Sequence, residues 1–113
     1  RFYIRHKAMP SQIQAGVYSA VRHYLQAVKD TGSDDGAVVM ARMKATPVSD
    51  AYTPKGQIRD DQRMIHDLYL VQVKTPEESK GPWDLVKLAA AVPPDQAFRP
   101  LDKSRCGLVK KAP

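Results

Sequence analysis

Cysteine occurs once in the 113 residues, at Cys106, which excludes an internal disulfide. Zinc sites draw on several Cys or His ligands. The three histidines, His6, His23 and His66, lie far apart without HxxxH or HExxH spacing, so no metal site is expected. The six glycines are scattered, which excludes a phosphate-cradling glycine loop. No serine stands in a nucleophile-elbow pattern. No run of about 18 apolar residues exists, so no transmembrane helix is expected. The adjacent carboxylates Asp60 and Asp61 read as a polar turn facing water. His66 and Asp67 fall in a stretch read as a strand, where successive side chains face opposite ways and do not form an acid–base pair. No catalytic residue and no cofactor is expected, and the chain does not read as an enzyme.

What is present is ordinary for a folded domain: 42% hydrophobic and 27% charged residues, with a length that suits one core. The net charge is +6, but carboxylates interleave with most of the basic residues. Dense basic groups occur only at Arg1–Lys7 and Lys103–Lys111, and no aromatic–basic stripe suited to stacking on bases accompanies them. A small basic nucleic-acid-binding module is therefore the weaker alternative, and no nucleic-acid partner is expected. The first seven residues lack the apolar core of a signal peptide and read as the interior of a longer sequence. Cys106 reads as a buried thiol or as one half of a pair whose partner lies elsewhere.

Punctuation and periodicity give the elements. Ser11 and Gln14 have capping-box spacing, and Val17, Val21, Tyr24, Leu25 and Val28 then recur at helical intervals until Gly32, predicting a helix over 11–30. Asp34 or Asp35 starts a second helix, over 35–45, which Pro47 stops. The chain then turns strand-rich over 57–92. Gln57-Ile58-Arg59 reads as a short strand, and Met64–Val73 as a longer one, apolar at both parities as if covered on both faces. Trp83–Val92 is ambiguous between helix and strand. Pro93-Pro94 breaks it, Asp95–Phe98 suits one helical turn, and 99–113 reads as an extended tail. The fold class is α/β. These few elements cannot cover both faces of a sheet, which implies missing layers, a partner or a dimerising interaction domain.

A specific resemblance now enters. Met9-Pro10-Ser11-Gln12-Ile13 through Val21, with Tyr24-Leu25-Gln26-Ala27-Val28, resembles the last long helix of the branched-chain amino acid (Leu/Ile/Val-type) substrate-binding proteins. Gly56-Gln57-Ile58-Arg59, Arg63–Lys74, the connection Glu78-Ser79-Lys80-Gly81-Pro82-Trp83-Asp84, and Ala97–Leu101 with Cys106–Val109 are similar to stretches of one subgroup. Gln62 departs from the pattern, which often has Gly there. The resemblance implies a C-terminal fragment, residues 1–113, of a type I periplasmic binding protein. Such a protein has two α/β lobes joined by crossing strands, and ligand is held in the cleft between them. It implies periplasmic localisation, a small-molecule solute such as a branched-chain amino acid or an aromatic acid, and an ABC transporter permease as partner. It also favours the strand reading of Trp83–Val92. Ser11, Gln12, Ile13 and Tyr18 become candidate ligand-binding residues, with Met9 beside them, because the start of this helix faces the cleft in the family. Without the remaining layers, the isolated chain is expected to self-associate.

Overall fold

A computed structural model describes residues 1–107 and Val109. A short helix, α1 (Phe2–His6), comes first; nothing in the sequence pattern foretold it. It has no side-chain cap and ends at Lys7 in the left-handed conformation, φ 53°. The tilted rings of Phe2 and His6, one turn apart with centroids 4.5 Å from each other, support it locally.

Helix α2 (Gln12–Thr31) begins as its sequence dictates. Ser11 Oγ accepts from the Gln14 N–H at 3.2 Å, and Gln14 Oε1 accepts from the Ser11 N–H at 2.8 Å. Both orphan donors are thereby satisfied reciprocally. Gly32 closes the helix at φ 62°, its N–H donating to the Val28 carbonyl. Helix α3 (Gly36–Ala45) is capped by the Asp35 carboxylate, which accepts from the N–H groups of Ala37 and Val38 at 3.0 Å each. The two helices pack together. Arg42 of α3 reaches back to Asp30 at 2.8 Å, and His23 Nε2 donates to the Met43 carbonyl at 3.0 Å. His23 thus ties α2 to the end of α3.

The core is small. Among the described residues Ala27, Val39 and Val48 are its buried apolar side chains, and Ser19 and Thr53 are also buried. Val48 and Gly56 exchange backbone hydrogen bonds of 2.8 Å, and that bridge lays the first ribbon against α3. The approach is close: a Cβ on Gly56 would stand 2.9 Å from Thr53 Cγ2 and 3.1 Å from Val48 Cβ.

Strand β1 (Gln57–Ile58) pairs with β2 (Met64–Ile65), and β3 (Leu68–Val73) pairs with β4 (Val86–Val92), both antiparallel and in separate sheets. The single strand expected over Met64–Val73 is therefore two, interrupted at His66–Asp67, because its halves have different partners. The strand reading of the ambiguous segment holds from Val86 onward. Helix α4 (Pro94–Ala97) and a 3-10 turn (Leu101–Lys103) follow, so the described part of the tail over 99–113 is not wholly extended. The rest of that tail lies outside the described residues.

In the β3–β4 hairpin Ala89 is an extra residue, bulged between the pairs Val71↔Leu88 and Leu70↔Ala90. One face carries Tyr69, Val71, Val73, Val86 and Leu88. The other carries Leu68, Leu70, Ala90 and Val92, then Gln72 and Lys87 toward the tip. All of β3, and β4 up to Ala91, is exposed. The accessible surface totals 8963 Å², against roughly 6200 Å² for a compact monomer of this mass. The radius of gyration is 17.5 Å, where about 13 Å is typical for the length.

Candidate functional site

The start of α2 is an exposed helix N-terminus. Ser11, Gln12 and Ile13 all face solvent, Ile13 at 79% exposure. The Ser11 hydroxyl oxygen accepts one bond in the capping box, and its O–H remains able to donate. The backbone N–H groups of Gln12 and Ile13 find no acceptor among the described residues, as the first turn of a helix requires. Those two donors, at the positive end of a 20-residue helix, are the polar resource of the site.

Tyr18 lies elsewhere. Five residues beyond Ile13, it is turned about 140° around the helix axis. It lines a groove of about 1050 Å³ with Gln14, Val17, Val21 and Leu25 on α2, Phe2 on α1, and Tyr52. Ser11, Gln12 and Ile13 do not line that groove. Met9 is also exposed but outside it. The four candidates therefore divide into a polar helix end and one aromatic on an apolar wall. Gln14 belongs to both, since its backbone and side chain join the cap and it also lines the groove. The sequence reading passed over it; its i, i+4 relation to Tyr18 was the available signal.

A second constellation surrounds the turn that joins β1 to β2. Arg59 holds Asp61 through two bonds, Nη2–Oδ2 at 2.6 Å and Nε–Oδ1 at 3.1 Å, and its Nη1 donates to the Arg99 carbonyl at 3.0 Å. The pair is largely buried, with side-chain exposures of 17% for Arg59 and 7% for Asp61. The Arg59 guanidinium holds the Asp61 carboxyl below its ordinary pKa, aided by the Arg63 N–H. Gln62 occupies the left-handed region at φ 62°, which accounts for the glycine preference of the resembling pattern at that position. A nearby recess gathers Arg63, Arg99, Arg105 and the half-buried thiol of Cys106.

A third constellation is the Asp50 turn. Its carboxylate accepts from the N–H groups of Tyr52 at 2.8 Å and Thr53 at 3.2 Å. Burial pushes the Asp50 carboxyl up, but Ser19 and these amides outweigh it and the pKa falls below the ordinary value. Ser19 Oγ, in a residue only 1% exposed, has no hydrogen-bond partner among the described residues. His66 and Asp67, which a continuous strand would have placed on opposite faces, form instead a local contact: His66 Nδ1 donates to the Asp67 carbonyl at 2.7 Å. Among the described residues no cluster of three or more His, Cys, Asp or Glu is gathered to hold a metal ion.

Comparison with known proteins fits this architecture. The periplasmic binding protein family matches residues 1–82. A periplasmic binding protein of Burkholderia mallei superposes with a TM-score of 0.92 at 48% identity, over 97% of this chain and 29% of that one. A branched chain amino acid ABC transporter periplasmic ligand-binding protein of Burkholderia xenovorans LB400 gives 0.89 at 44% identity, over 95% and 29%. Curated proteins give no match. The chain thus spans 29% of the length of each of these solved relatives. They are binding proteins rather than enzymes, in keeping with a sequence that carries no catalytic motif. At such identity, and with the α/β architecture shared over almost the whole chain, this chain belongs to the periplasmic binding protein family.

Proposed function

We infer that this chain is the C-terminal part of a periplasmic solute-capture protein that serves an ABC importer and delivers its solute to the transporter permease. The observation that carries the reading is the near-complete congruence with two solved binding proteins, one of them a branched chain amino acid ABC transporter periplasmic ligand-binding protein. The solute is a small carboxylate-bearing molecule, such as a branched-chain amino acid or an aromatic acid. The free amides of Gln12 and Ile13 at the α2 N-terminus support that chemistry, because a helix start favours an anionic group. Ser11 orders the turn that presents them. Ile13, exposed beside the amides, offers an apolar contact. Tyr18 belongs to this reading only as part of the apolar wall behind the helix start. The chain contributes one rim of the cleft and the rest comes from the longer protein, so the chain by itself binds no solute with useful affinity.

The test uses the longer protein that carries this segment. Calorimetry across a panel of branched-chain and aromatic acids is expected to find one class that binds. Gln12→Trp and Ile13→Trp are expected to weaken that binding with little change in thermal stability, since exposed positions tolerate bulk that a core does not. Unchanged affinity in a folded double variant would move the contact away from the helix start.

A further inference from the structure

The chain forms two bodies with unlike surroundings. Helices α2 and α3 pack with each other and α3 packs on β1 of the β1–β2 ribbon, whereas among the described residues the β3–β4 hairpin packs substantially only on itself. The backbone passes between the bodies at two places, His66–Asp67 on the way out and Val92–Pro93 on the way back. Side chains tie these passages together. The His66 ring lies edge-on between Tyr52, centroids 5.4 Å apart, and Phe98, 5.7 Å apart. Tyr52 belongs to the turn that leads into β1, and Phe98 to the segment just after the return passage. The His66 Nδ1 bond to the Asp67 carbonyl fixes the ring against the backbone of the next residue. One residue beyond Phe98, the Arg99 carbonyl is held by Arg59, whose guanidinium is already anchored on Asp61.

We propose that His66 and Arg59 are positioning residues that set the angle between the hairpin and the helical body, His66 as the pivot and Arg59 as the tether on the returning chain. Tilting the hairpin about the His66–Asp67 peptide drags the return passage with it. That motion slides Phe98 across the His66 ring and pulls the Arg99 carbonyl from Arg59. Among the described residues no broad apolar interface between the hairpin and the helical body resists it. These two small contacts are therefore the ones we assign to holding the orientation. Its consequence for solute capture rests on the reading above: the angle decides how the hairpin meets whatever closes on the far side of the cleft.

The test is a distance distribution by electron spin resonance, made without solute. Spin labels are attached through Ala41→Cys on α3 and Gln72→Cys on β3, both exposed positions, in a Cys106→Ser background. The labelled chain is diluted into an excess of the unlabelled Cys106→Ser chain, so that only distances within one copy are read. The expected result is one narrow distribution that is lost in His66→Ala and in Arg59→Lys and retained in His66→Phe, which keeps the ring between its two neighbours. Narrow distributions in His66→Ala and Arg59→Lys would overturn the proposal. So would a broad distribution before any change, or one in His66→Phe as broad as in His66→Ala. Circular dichroism checks that the variants fold; if His66→Ala does not, Arg59→Lys decides alone. A narrow distribution in a longer protein that binds no solute would sink the solute-capture reading and leave this one standing.

Discussion

The uncovered apolar surface makes self-association of the 113-residue chain the sharpest expectation. On α2 the groove residues Val17, Tyr18, Val21 and Leu25 are each half-exposed or more, and so are most of Tyr69, Val71, Val73, Val86 and Leu88 on one hairpin face. Completing the burial of such a side chain is worth about 1 kcal/mol, half of what full burial gives. Nine of them in each of two copies amount to roughly 18 kcal/mol. Lost rigid-body freedom and ordering oppose this by roughly 10 kcal/mol. The balance, about 8 kcal/mol, corresponds to a dimer dissociating in the micromolar range. A symmetric pairing uses the same patches on both copies, so each substitution counts twice. Val21→Asp with Leu25→Asp therefore removes about 4 kcal/mol and weakens the dimer about a thousandfold. Sedimentation velocity across a concentration series reads both quantities. A cooperatively melting monomer at every concentration would refute the reasoning, because it would mean that the chain covers these faces itself.

Three further outcomes follow from single positions. Gly56→Ala forces a methyl against Thr53 and Val48, and should lower stability by about 1–3 kcal/mol in a urea titration. Gln62→Gly relieves the left-handed backbone at φ 62° and should raise stability by about 0.5–1 kcal/mol in the same titration, after the entropy glycine loses. Asp61 has a folded pKa below its ordinary 3.8, so its contribution is present above that value and is lost as pH falls through the lower folded one. Asp61→Asn should therefore lower the melting temperature at neutral pH and flatten its acid dependence in that window. An unchanged acid profile would show that the Arg59–Asp61 pair does not couple to folding.

The legible parts of the fold were those decided within a few residues of chain. Ser11 with Gln14, Gly32, and Asp35 each act on backbone groups no more than four positions away, so spacing alone located both long helices. The break at His66–Asp67 was not legible, because it depends on which strands β2 and β3 meet, and those partners lie up to 24 residues away in sequence, as in Leu68↔Val92. The same apolar run at both parities suits one buried strand or two short ones. Helix α1 offered no acidic first turn and no cap to read. In the site, the exposed helix start followed directly from the Ser11 cap. Tyr18 is turned by helical geometry onto the groove wall, away from the helix start, which spacing along the chain alone did not separate. Arg59 was invisible as a tether because its third bond goes to a carbonyl 40 residues on.

The hairpin's register also says how it must be enclosed. Near the crossings both of its faces are apolar, Leu68, Leu70, Ala90 and Val92 on one side and Tyr69, Val71 and Leu88 on the other. Toward the tip one face stays apolar with Val73 and Val86, while the other turns polar with Gln72 and Lys87. A strand pair with two apolar faces needs a layer on each, and one with a single apolar face needs only one. The crossing end thus belongs between two layers and the tip at the edge of a domain, with Lys87 reaching Glu78 at 2.8 Å at the surface. The bulge at Ala89 strengthens the twist at the point where the polar residues begin. A two-stranded hairpin of this kind is marginal by itself in water. Its stability must come from the layers it enters, which makes the pivot at His66 the point where this chain's helical body is joined to them.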